Sequence, residues 1–374
     1  MNRAARAVIN LDALRHNLQR ARAVDPAAKH YCVIKADAYG HGLVPVARAL
    51  AGEADGFAVA RLAEAMQLRE AGITQSILLL EGFAHADELL PIQHQQFEVV
   101  VHHAGQLDAL EALAKKQDIS RAITVWLKVD TGMHRLGFAI DAVPAAWQRL
   151  TASRIVAKSP RLMTHLACAD DFHNPRTQQQ IELFNSVLPD VHTDRSIANS
   201  AGILGWMGSH ADIDRPGIML YGVSPFLDES GADRRLQPVM TLRSELIAVK
   251  QCQAGDAVGY GGTWQCPEAM PVGVVAIGYG DGYPRHAPAG TPVLVNGVEV
   301  PLIGRVSMDM ICVDLRDVPD ARVGDDVVLW GDGLAAERIA AAATTIAYDL
   351  FCGVTARVPR EYVAVENVTA EEGV

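Results

Sequence analysis

The feature that most constrains the fold is an alternation of short apolar segments with helical patterns over the first 220 of 374 residues. The helical patterns include Leu62–Ala71, Gln106–Lys116 and Thr177–Leu188. The candidate strands are Tyr31–Ala36, Gly56–Ala60, Ser76–Glu81, Phe97–His102, Ala122–Asp130, Arg161–Ala167, Arg195–Asn199 and Ile213–Met219. Strands that alternate with helices predict an α/β fold of parallel units, closed into a (β/α)8 TIM-type barrel. A doubly wound open sheet is the alternative.

A second domain follows the barrel pattern. The polar segment Ser224–Gln237 is interpreted as a linker, after which strand patterns dominate and Asn296-Gly297 predicts a hairpin turn. An Ala-rich helix is predicted over Ala335–Leu350. The predicted organisation is an N-terminal strand at residues 1–10 that packs with the C-terminal domain, a barrel over 11–225 and a mostly-β domain over 226–374.

Composition excludes several classes of function. The chain has 33 Lys and Arg against 44 Asp and Glu, a net charge of −11, and no basic stripe, which argues against a nucleic-acid partner. No apolar stretch has the length of a membrane span or a secretion signal. The six cysteines include no C-x-x-C pair, which indicates neither a zinc site nor a disulfide framework. We therefore expect a cytoplasmic protein without a bound metal.

One lysine has an unusual setting. Lys35 ends the buried apolar segment Cys32–Ile34, and Ala36-Asp37-Ala38-Tyr39-Gly40-His41-Gly42 follows it. Barrel active sites form at the carboxyl ends of the strands, where a partly dehydrated lysine can act as nucleophile, base or covalent partner. A lysine that extends past the strand end into water is the alternative.

Polar residues also follow the later candidate strands on the same face. These residues are Asp130, Arg135, His165, Asn199, Ser200 and Arg215. Each alone also fits a turn, a cap or a buried polar network. The loops after the last two barrel strands commonly bind phosphate, and Ser200, Gly217 and Ile218 can supply a hydroxyl and backbone N–H groups. A phosphate site opposite a lysine predicts pyridoxal 5′-phosphate (PLP) as cofactor.

Seven segments, in order, resemble those of the bacterial alanine racemase family. They are Val33–Gly42, Lys128–Gly137, Ala198–Ala201, Arg215–Gly222, Val258–Thr263, Ile277–Pro284 and Gly304–Met310. They span essentially the whole chain. The resemblance implies a PLP-dependent enzyme that interconverts L-alanine and D-alanine, for cell-wall peptidoglycan or for alanine catabolism. It also implies a homodimer whose active sites are shared between chains.

The resemblance implies roles for individual residues. Lys35 would hold PLP as a Schiff base and act as one base, and Tyr260 would be the second base on the opposite face. The cofactor would be bound by Lys35, Tyr39, His165, Asn199, Ser200, Arg215, Gly217 and Ile218. The substrate would be bound by Arg135, Met308, Tyr279 and Asp309. Lys128 matches a lysine that many members carry as a carbamate. Two departures are Ser307, where many members have cysteine, and Ala356, where some have a phosphate-binding tyrosine.

Racemisation itself favours these assignments. One proton must leave one face of Cα and another must return to the opposite face, which two opposed bases accomplish directly. Three alternatives remain. A racemase of broader specificity fits the same residues. A PLP-barrel decarboxylase would need a cysteine motif that Cys266 and Cys312 lack. A PLP carrier made of the barrel alone would not have the second domain.

Overall fold

The structure is a computed structural model that describes residues 4–116 and 121–364. Its helices are α1 (Leu11–Val24), α2 (Lys35–Tyr39), α3 (Leu43–Leu50), α4 (Leu62–Glu70), α5 (Leu89–Gln95), α6 (Ala104–Lys116), α7 (Val143–Ala152), α8 (Arg176–Ser186), α9 (Ser200–Gly205), α10 (Ala336–Ala342) and α11 (Ala347–Gly353). Its strands are β1 (Arg6–Asn10), β2 (Lys29–Val33), β3 (Gly56–Val59), β4 (Ser76–Leu79), β5 (Glu98–Val101), β6 (Val125–Lys128), β7 (Arg161–Met163), β8 (Arg195–Ser196), β9 (Ile213–Asp214), β10 (Met240–Cys252), β11 (Ala257–Val258), β12 (Trp264–Gln265), β13 (Met270–Val275), β14 (Pro292–Val295), β15 (Val298–Ile303), β16 (Ile311–Asp314), β17 (Asp326–Trp330) and β18 (Arg360–Val363).

The chain divides into two compact units. The barrel unit contains the described residues of Asn17–Leu220 and Ser224–Arg235. The β unit contains those of Met1–His16, Tyr221–Val223 and Leu236–Val374.

Eight parallel strands form the barrel unit, in the order β8-β7-β6-β5-β4-β3-β2-β9. The first and last strands of this unit pair through Lys29↔Ile213 and His30↔Asp214. Between β8 and β9, the Ser196 hydroxyl donates to the Ile213 carbonyl, and the Arg215 N–H donates to the Ala198 carbonyl at 3.1 Å. The predicted alternation of strands and helices is confirmed, and the sheet curls into a near-barrel.

Several strands are shorter than predicted. The prediction for Ile213–Met219 is wrong beyond Asp214, since the paired strand β9 ends there. Pro216 has no N–H to donate to a ladder, although its carbonyl accepts the Val33 N–H at 2.9 Å. The chain then turns into a 3-10 helix at Ile218–Tyr221.

A buried carboxylate joins several barrel strands. Glu98 on β5 accepts hydrogen bonds from the Tyr31 hydroxyl at 2.9 Å, the Trp126 indole at 2.7 Å and Arg161 at 2.9 Å. Burial and the Glu98 charge raise the pKa of Tyr31 to about 12, so it remains a neutral donor. Since a buried charge is costly unless it is fully bonded, these contacts stabilise one register of four strands.

Antiparallel strands dominate the β unit. The order β13-β16-β15-β14-β17-β10, with β10 pairing back to β13, closes a ring of six strands. Strand β10 pairs with three strands, β1, β13 and β17, because it is long and its register shifts between Leu246 and Ala248. Strand β1 pairs antiparallel with β10 and parallel with β18. The N-terminal segment is therefore part of this unit.

The single helix predicted over Ala335–Leu350 is wrong. The structure has two helices there, α10 and α11, separated by Thr344 with φ 52°. Thr344, Thr345 and Ile346 are β-branched and favour non-helical backbone. The Thr345 hydroxyl donates to the Asp349 carboxylate at 2.8 Å at the start of the second helix.

The segment interpreted as a linker is packed rather than open. The Leu227 N–H donates to the Asp170 carbonyl at 3.3 Å. The Arg234 guanidinium lies 4.3 Å from the Phe226 ring centroid and 5.7 Å from that of Phe172. These cation–π contacts hold the segment against the barrel unit.

Candidate active site

A left-handed turn follows Lys35 directly. Four successive residues, Ala36–Tyr39, have φ between 52° and 54°, a conformation that costs about 1–2 kcal/mol per residue without glycine. The Glu64 carboxylate accepts the Ala36 N–H at 2.7 Å, and the Asp37 carboxylate accepts the Leu43 N–H at 2.8 Å. Strain of this kind persists only where the surroundings enforce it and is common at functional sites. The turn sets the positions of Lys35 and Tyr39 relative to β2.

Three buried residues form a small polar cradle. The Ser200 hydroxyl oxygen accepts the Gly217 N–H at 2.9 Å and the Met219 N–H at 3.3 Å, which leaves its own proton to donate. A Cβ atom on Gly217 would lie only 2.9 Å from the Tyr39 hydroxyl and 3.8 Å from that of Ser200. Glycine therefore keeps open a space between two hydroxyls, which fits a phosphate group.

Asn199 supports this cradle from outside. Its side-chain oxygen accepts the Gly202 N–H at 3.0 Å and caps the helix that begins at Ser200. Its amide lies 3.5 Å from the Leu166 carbonyl. The contacts orient the turn that carries Ser200.

Several positively charged side chains lie beside the cradle. Arg215 is buried and donates to the Ser196 hydroxyl and to the Thr164 carbonyl at 2.6 Å. Burial lowers the pKa of Arg215 to about 10, so it remains charged at neutral pH. Burial, and then Arg215, Arg135 and Lys35, lower the pKa of Lys128 to about 8. The set suits a cofactor phosphate and a substrate carboxylate, both anionic.

His165 completes this group. Burial lowers its pKa well below the ordinary value, and the charges of Arg215 and Lys128 lower it further. The imidazole is therefore neutral at physiological pH. A narrow cleft is lined by Lys128, Val129, Asp130, Met133, Arg135, Leu136, Thr164 and His165.

The remaining predicted site residues lie in the β unit. The Tyr279 N–H donates to the Ser307 carbonyl at 3.0 Å, and the Gly280 N–H donates to the Met308 carbonyl at 2.8 Å, so two loops lie side by side. Tyr260 lies between β11 and β12, where Gly259 and Gly261 have positive φ. The exposed fractions are 68% for Tyr260, 39% for Tyr279 and 52% for Met308, which is unusual for large apolar and aromatic side chains.

Comparison with known proteins identifies the family. Residues 9–225 match the family described as alanine racemase, N-terminal domain, and residues 239–362 match alanine racemase, C-terminal domain. The chain belongs to the alanine racemase family. The family predicted from the seven segments is therefore confirmed.

Individual alanine racemases match over nearly their full length. The chain is 52% identical over 368 residues to the alanine racemase of Halorhodospira halophila, covering 98% of this chain and 100% of that one. It is 52% identical over 361 residues to the biosynthetic alanine racemase of Escherichia coli K12, covering 96% and 99%. The crystal structure of biosynthetic alanine racemase from Pseudomonas aeruginosa superposes with a TM-score of 0.93 at 46% identity, covering 97% and 100%. The predicted fold class, a barrel followed by a mostly-β domain, is confirmed for this racemase.

Sequence reasoning missed a second buried polar cluster, on paired residues of β2 and β9. His30 Nε2 lies 3.8 Å from Asp214 Oδ2, and both side chains are fully buried. Burial and the nearby Asp25 charge raise the pKa of Asp214 to about 8, against a smaller opposing effect of Arg215. Burial lowers the pKa of His30. The pair is therefore a carboxylic acid beside a neutral imidazole. In the sequence, this cluster could have been recognised from His30 and Asp214, two polar residues in apolar strand segments.

Asp214 should make the racemase less stable as the pH rises. An acid whose pKa is raised on folding keeps its proton in the folded state from about pH 4 to pH 8, where the unfolded state has lost it. Stability falls by up to about 1.4 kcal/mol per pH unit in that window and levels off on either side. Asp214→Asn should therefore gain stability relative to wild type between pH 5 and pH 8.

Urea unfolding at several pH values measures this difference. The matched control is Asp212→Asn, an exposed carboxylate nearby whose oxygen accepts the Arg195 N–H at 2.8 Å. A parallel pH dependence in wild type and Asp214→Asn would contradict the assignment.

Proposed function

We propose that the chain, an alanine racemase that interconverts L-alanine and D-alanine, uses PLP as cofactor and Lys35 and Tyr260 as bases on opposite faces of the substrate. The observation that carries the proposal is the cradle of Tyr39, Ser200 and Gly217, joined to Lys35 by the left-handed turn. A racemase of broader specificity is the alternative. Relatives described as biosynthetic favour a role in D-alanine synthesis.

The barrel unit would hold the cofactor. Tyr39, Ser200 and the backbone at Gly217 and Ile218 would bind the phosphate. Arg215 would face the pyridine nitrogen, with His165 beside it, and Lys35 would supply the covalent attachment. When bound, PLP withdraws electrons from the substrate Cα and makes its proton acidic. Because Arg215 keeps its proton, it would donate a hydrogen bond to the ring nitrogen without protonating it.

Two bases would then move the proton. For one enantiomer, Lys35 Nζ would take the Cα proton, and the Tyr260 hydroxyl would return one to the opposite face. For the other enantiomer the two residues would exchange roles, as microscopic reversibility requires. Arg135 and the backbone at Met308 would hold the substrate carboxylate, with Asp309 adjacent, so that both bases address one carbon atom.

The β unit would serve a partner subunit. Tyr260, Tyr279 and Met308 are exposed, although the proposed chemistry needs them beside a substrate. We infer a homodimer in which each β unit completes the partner's barrel site, giving two equal sites per dimer. All six cysteines are unpaired, which favours a reducing compartment such as the cytoplasm. No helix in the described ranges, 4–116 and 121–364, is long and apolar enough to cross a bilayer.

Purified protein tests the activity directly. L-alanine should racemise to an equal mixture, whereas L-lysine should be neither racemised nor decarboxylated. Removing PLP by dialysis with a carbonyl-trapping amine should abolish the reaction, and added PLP should restore it. Carbon dioxide release from L-lysine, or equal rates on L-serine, would favour the alternatives.

Lys128 is proposed to carry a carbamate. With a pKa of about 8, a substantial fraction of its amine is uncharged near neutral pH and can attack carbon dioxide. A nitrogen–carbon bond forms, one proton is released, and an anionic carboxylate replaces a cation. Three neighbouring cations, Lys35, Arg135 and Arg215, would stabilise that anion. It would orient Arg135 by a charge-assisted hydrogen bond.

Lys128→Ala should lower kcat/KM for alanine about tenfold, because a hydrogen bond to a charged group is worth about 1.5–3 kcal/mol. Added acetate should restore part of the loss. Carbon-13 NMR under labelled carbon dioxide should show a carbamate signal in wild type that the variant lacks. Lys115→Ala, on the exposed face of α6, is the control. An identical signal in wild type and Lys128→Ala, with no response to acetate, would refute the carbamate.

A further inference from the structure

We propose that Arg357 is a positioning residue that holds two entrance segments, Gly278–Gly282 and Ser307–Met310, and thereby limits the size of the accepted substrate. The inference rests on the proposed function and on the family resemblance, which implies that Tyr279 and Met308 narrow the opening to the site. Arg357 itself contacts neither substrate nor cofactor in this proposal.

Arg357 links both segments through carboxylates. Its guanidinium donates to Asp309 Oδ1 at 2.7 Å and lies 3.2 Å from Asp281 Oδ1. Asp309 follows Met308, and Asp281 comes two residues after Tyr279. One side chain therefore spans the gap between the residues that carry the two entrance side chains.

The Asp281 end of this link is well ordered by its surroundings. The Asp281 side chain is only 9% exposed, and its second oxygen accepts the Gly278 N–H at 3.0 Å. The Asp281 carbonyl accepts the Thr355 N–H at 3.0 Å, and the Thr355 hydroxyl donates to the Gly280 carbonyl at 3.0 Å. These hydrogen bonds attach the segment that carries Arg357 to the first entrance segment, independently of the guanidinium contacts.

The Asp309 end depends more on Arg357. The Asp309 side chain is 52% exposed, and the second segment otherwise meets the first through the backbone bonds at Ser307 and Met308. An exposed ion pair contributes little to global stability, yet a charge-assisted bond can select one loop arrangement among several. Loss of the pair should therefore alter the entrance more than the fold.

The glycine at position 280 leaves space for the Arg357 guanidinium between the two entrance segments. A Cβ atom at Gly280 would lie 2.3 Å from Arg357 Nη1 and 3.0 Å from the Met308 carbonyl oxygen. Its φ lies outside the left-handed region, so glycine here leaves room for the guanidinium and does not serve an unusual backbone conformation. The guanidinium packs against this bare backbone, directly between Tyr279 and Asp281.

The test compares alanine with L-2-aminobutyrate, which is one methylene longer. A pocket distinguishes one methylene by roughly 10–200-fold in kcat/KM. Arg357→Met should reduce the preference for alanine about 5–10-fold and raise KM for alanine, with kcat changed less than twofold. Arg357→Lys should keep an intermediate preference, because one ammonium can meet one carboxylate but cannot bridge both. Asp309→Asn, which keeps the Asp281 contact, should shift the preference in the same direction as Arg357→Met.

Arg338→Met is the matched control. Arg338 pairs with Glu299 at 2.7 and 2.8 Å, so this variant also removes an exposed arginine–carboxylate pair of the β unit. It should leave the preference and both kinetic constants unchanged. Thermal unfolding of each variant as the full-length holoenzyme separates loop effects from loss of fold.

Two results would overturn the proposal. One is an unchanged preference in both Arg357→Met and Asp309→Asn. The other is a fall in kcat that parallels a fall in melting temperature, with the preference intact. Failure of the proposed function has a different signature, since Tyr279→Ala and Met308→Ala would then leave the preference unchanged as well.

Discussion

Replacing Lys35 with alanine should abolish racemisation in both directions, with a loss of more than about 10⁴-fold. Lys35 is proposed both to attach the cofactor and to exchange the Cα proton, so its loss removes two functions at once. The visible absorbance of the attached cofactor should disappear together with the activity. Borohydride, which makes a cofactor–lysine linkage permanent, should label a peptide that contains Lys35 in the wild type.

Lys29→Ala is the control for that experiment. Lys29 lies at the amino end of the same strand, β2, and is exposed, so its removal changes the charge without reaching the site. It should retain wild-type activity and absorbance. A borohydride label on Lys128 or Lys250 would show that the attachment site is elsewhere.

Mixing two inactive variants, Lys35→Ala and Tyr260→Phe, should restore activity once subunits exchange. If each site combines Lys35 of one chain with Tyr260 of the other, a heterodimer has one doubly altered site and one intact site. Random exchange of equal amounts makes half of the dimers mixed, so about one quarter of wild-type activity should return. An interface that shares sites in this way should bury more than about 2,000 Å², as obligate dimers do.

A model in which each active site is built from a single chain predicts the opposite result. If each site is built from one chain, every site in the mixture keeps one lesion and the mixture stays inactive. Native mass spectrometry of differently tagged variants must show that heterodimers have formed. The matched control mixes Lys35→Ala with Lys35→Ala,Tyr260→Phe, because no heterodimer of that pair contains an intact site.

Much of the site was accessible from the sequence because its chemistry depends on residue type and position relative to strand ends. Lys35, Ser200 and Arg215 each follow a short strand, and parallel strands bring such positions to one edge. The hydrogen-bond and ion-pair partners of the individual residues could not be predicted from the sequence. Asn199, which is predicted to bind the cofactor, also caps α9, and nothing in the sequence indicated that Arg357 would bridge Asp281 and Asp309.

Local patterns by themselves determined the eight barrel strands, because burial imposes a short-range periodicity on the chain. The family and the proposed site residues followed from the resemblance of seven segments to the alanine racemase family. Tertiary structure decided the left-handed turn after Lys35, since alanine does not prefer this conformation and contacts with Glu64 and Leu43 help to hold it. It also decided that Asp214 is buried beside His30. These features depend on contacts between residues that are far apart in the sequence. Such contacts set dihedral angles and pKa values, which therefore cannot be predicted from a short stretch of sequence.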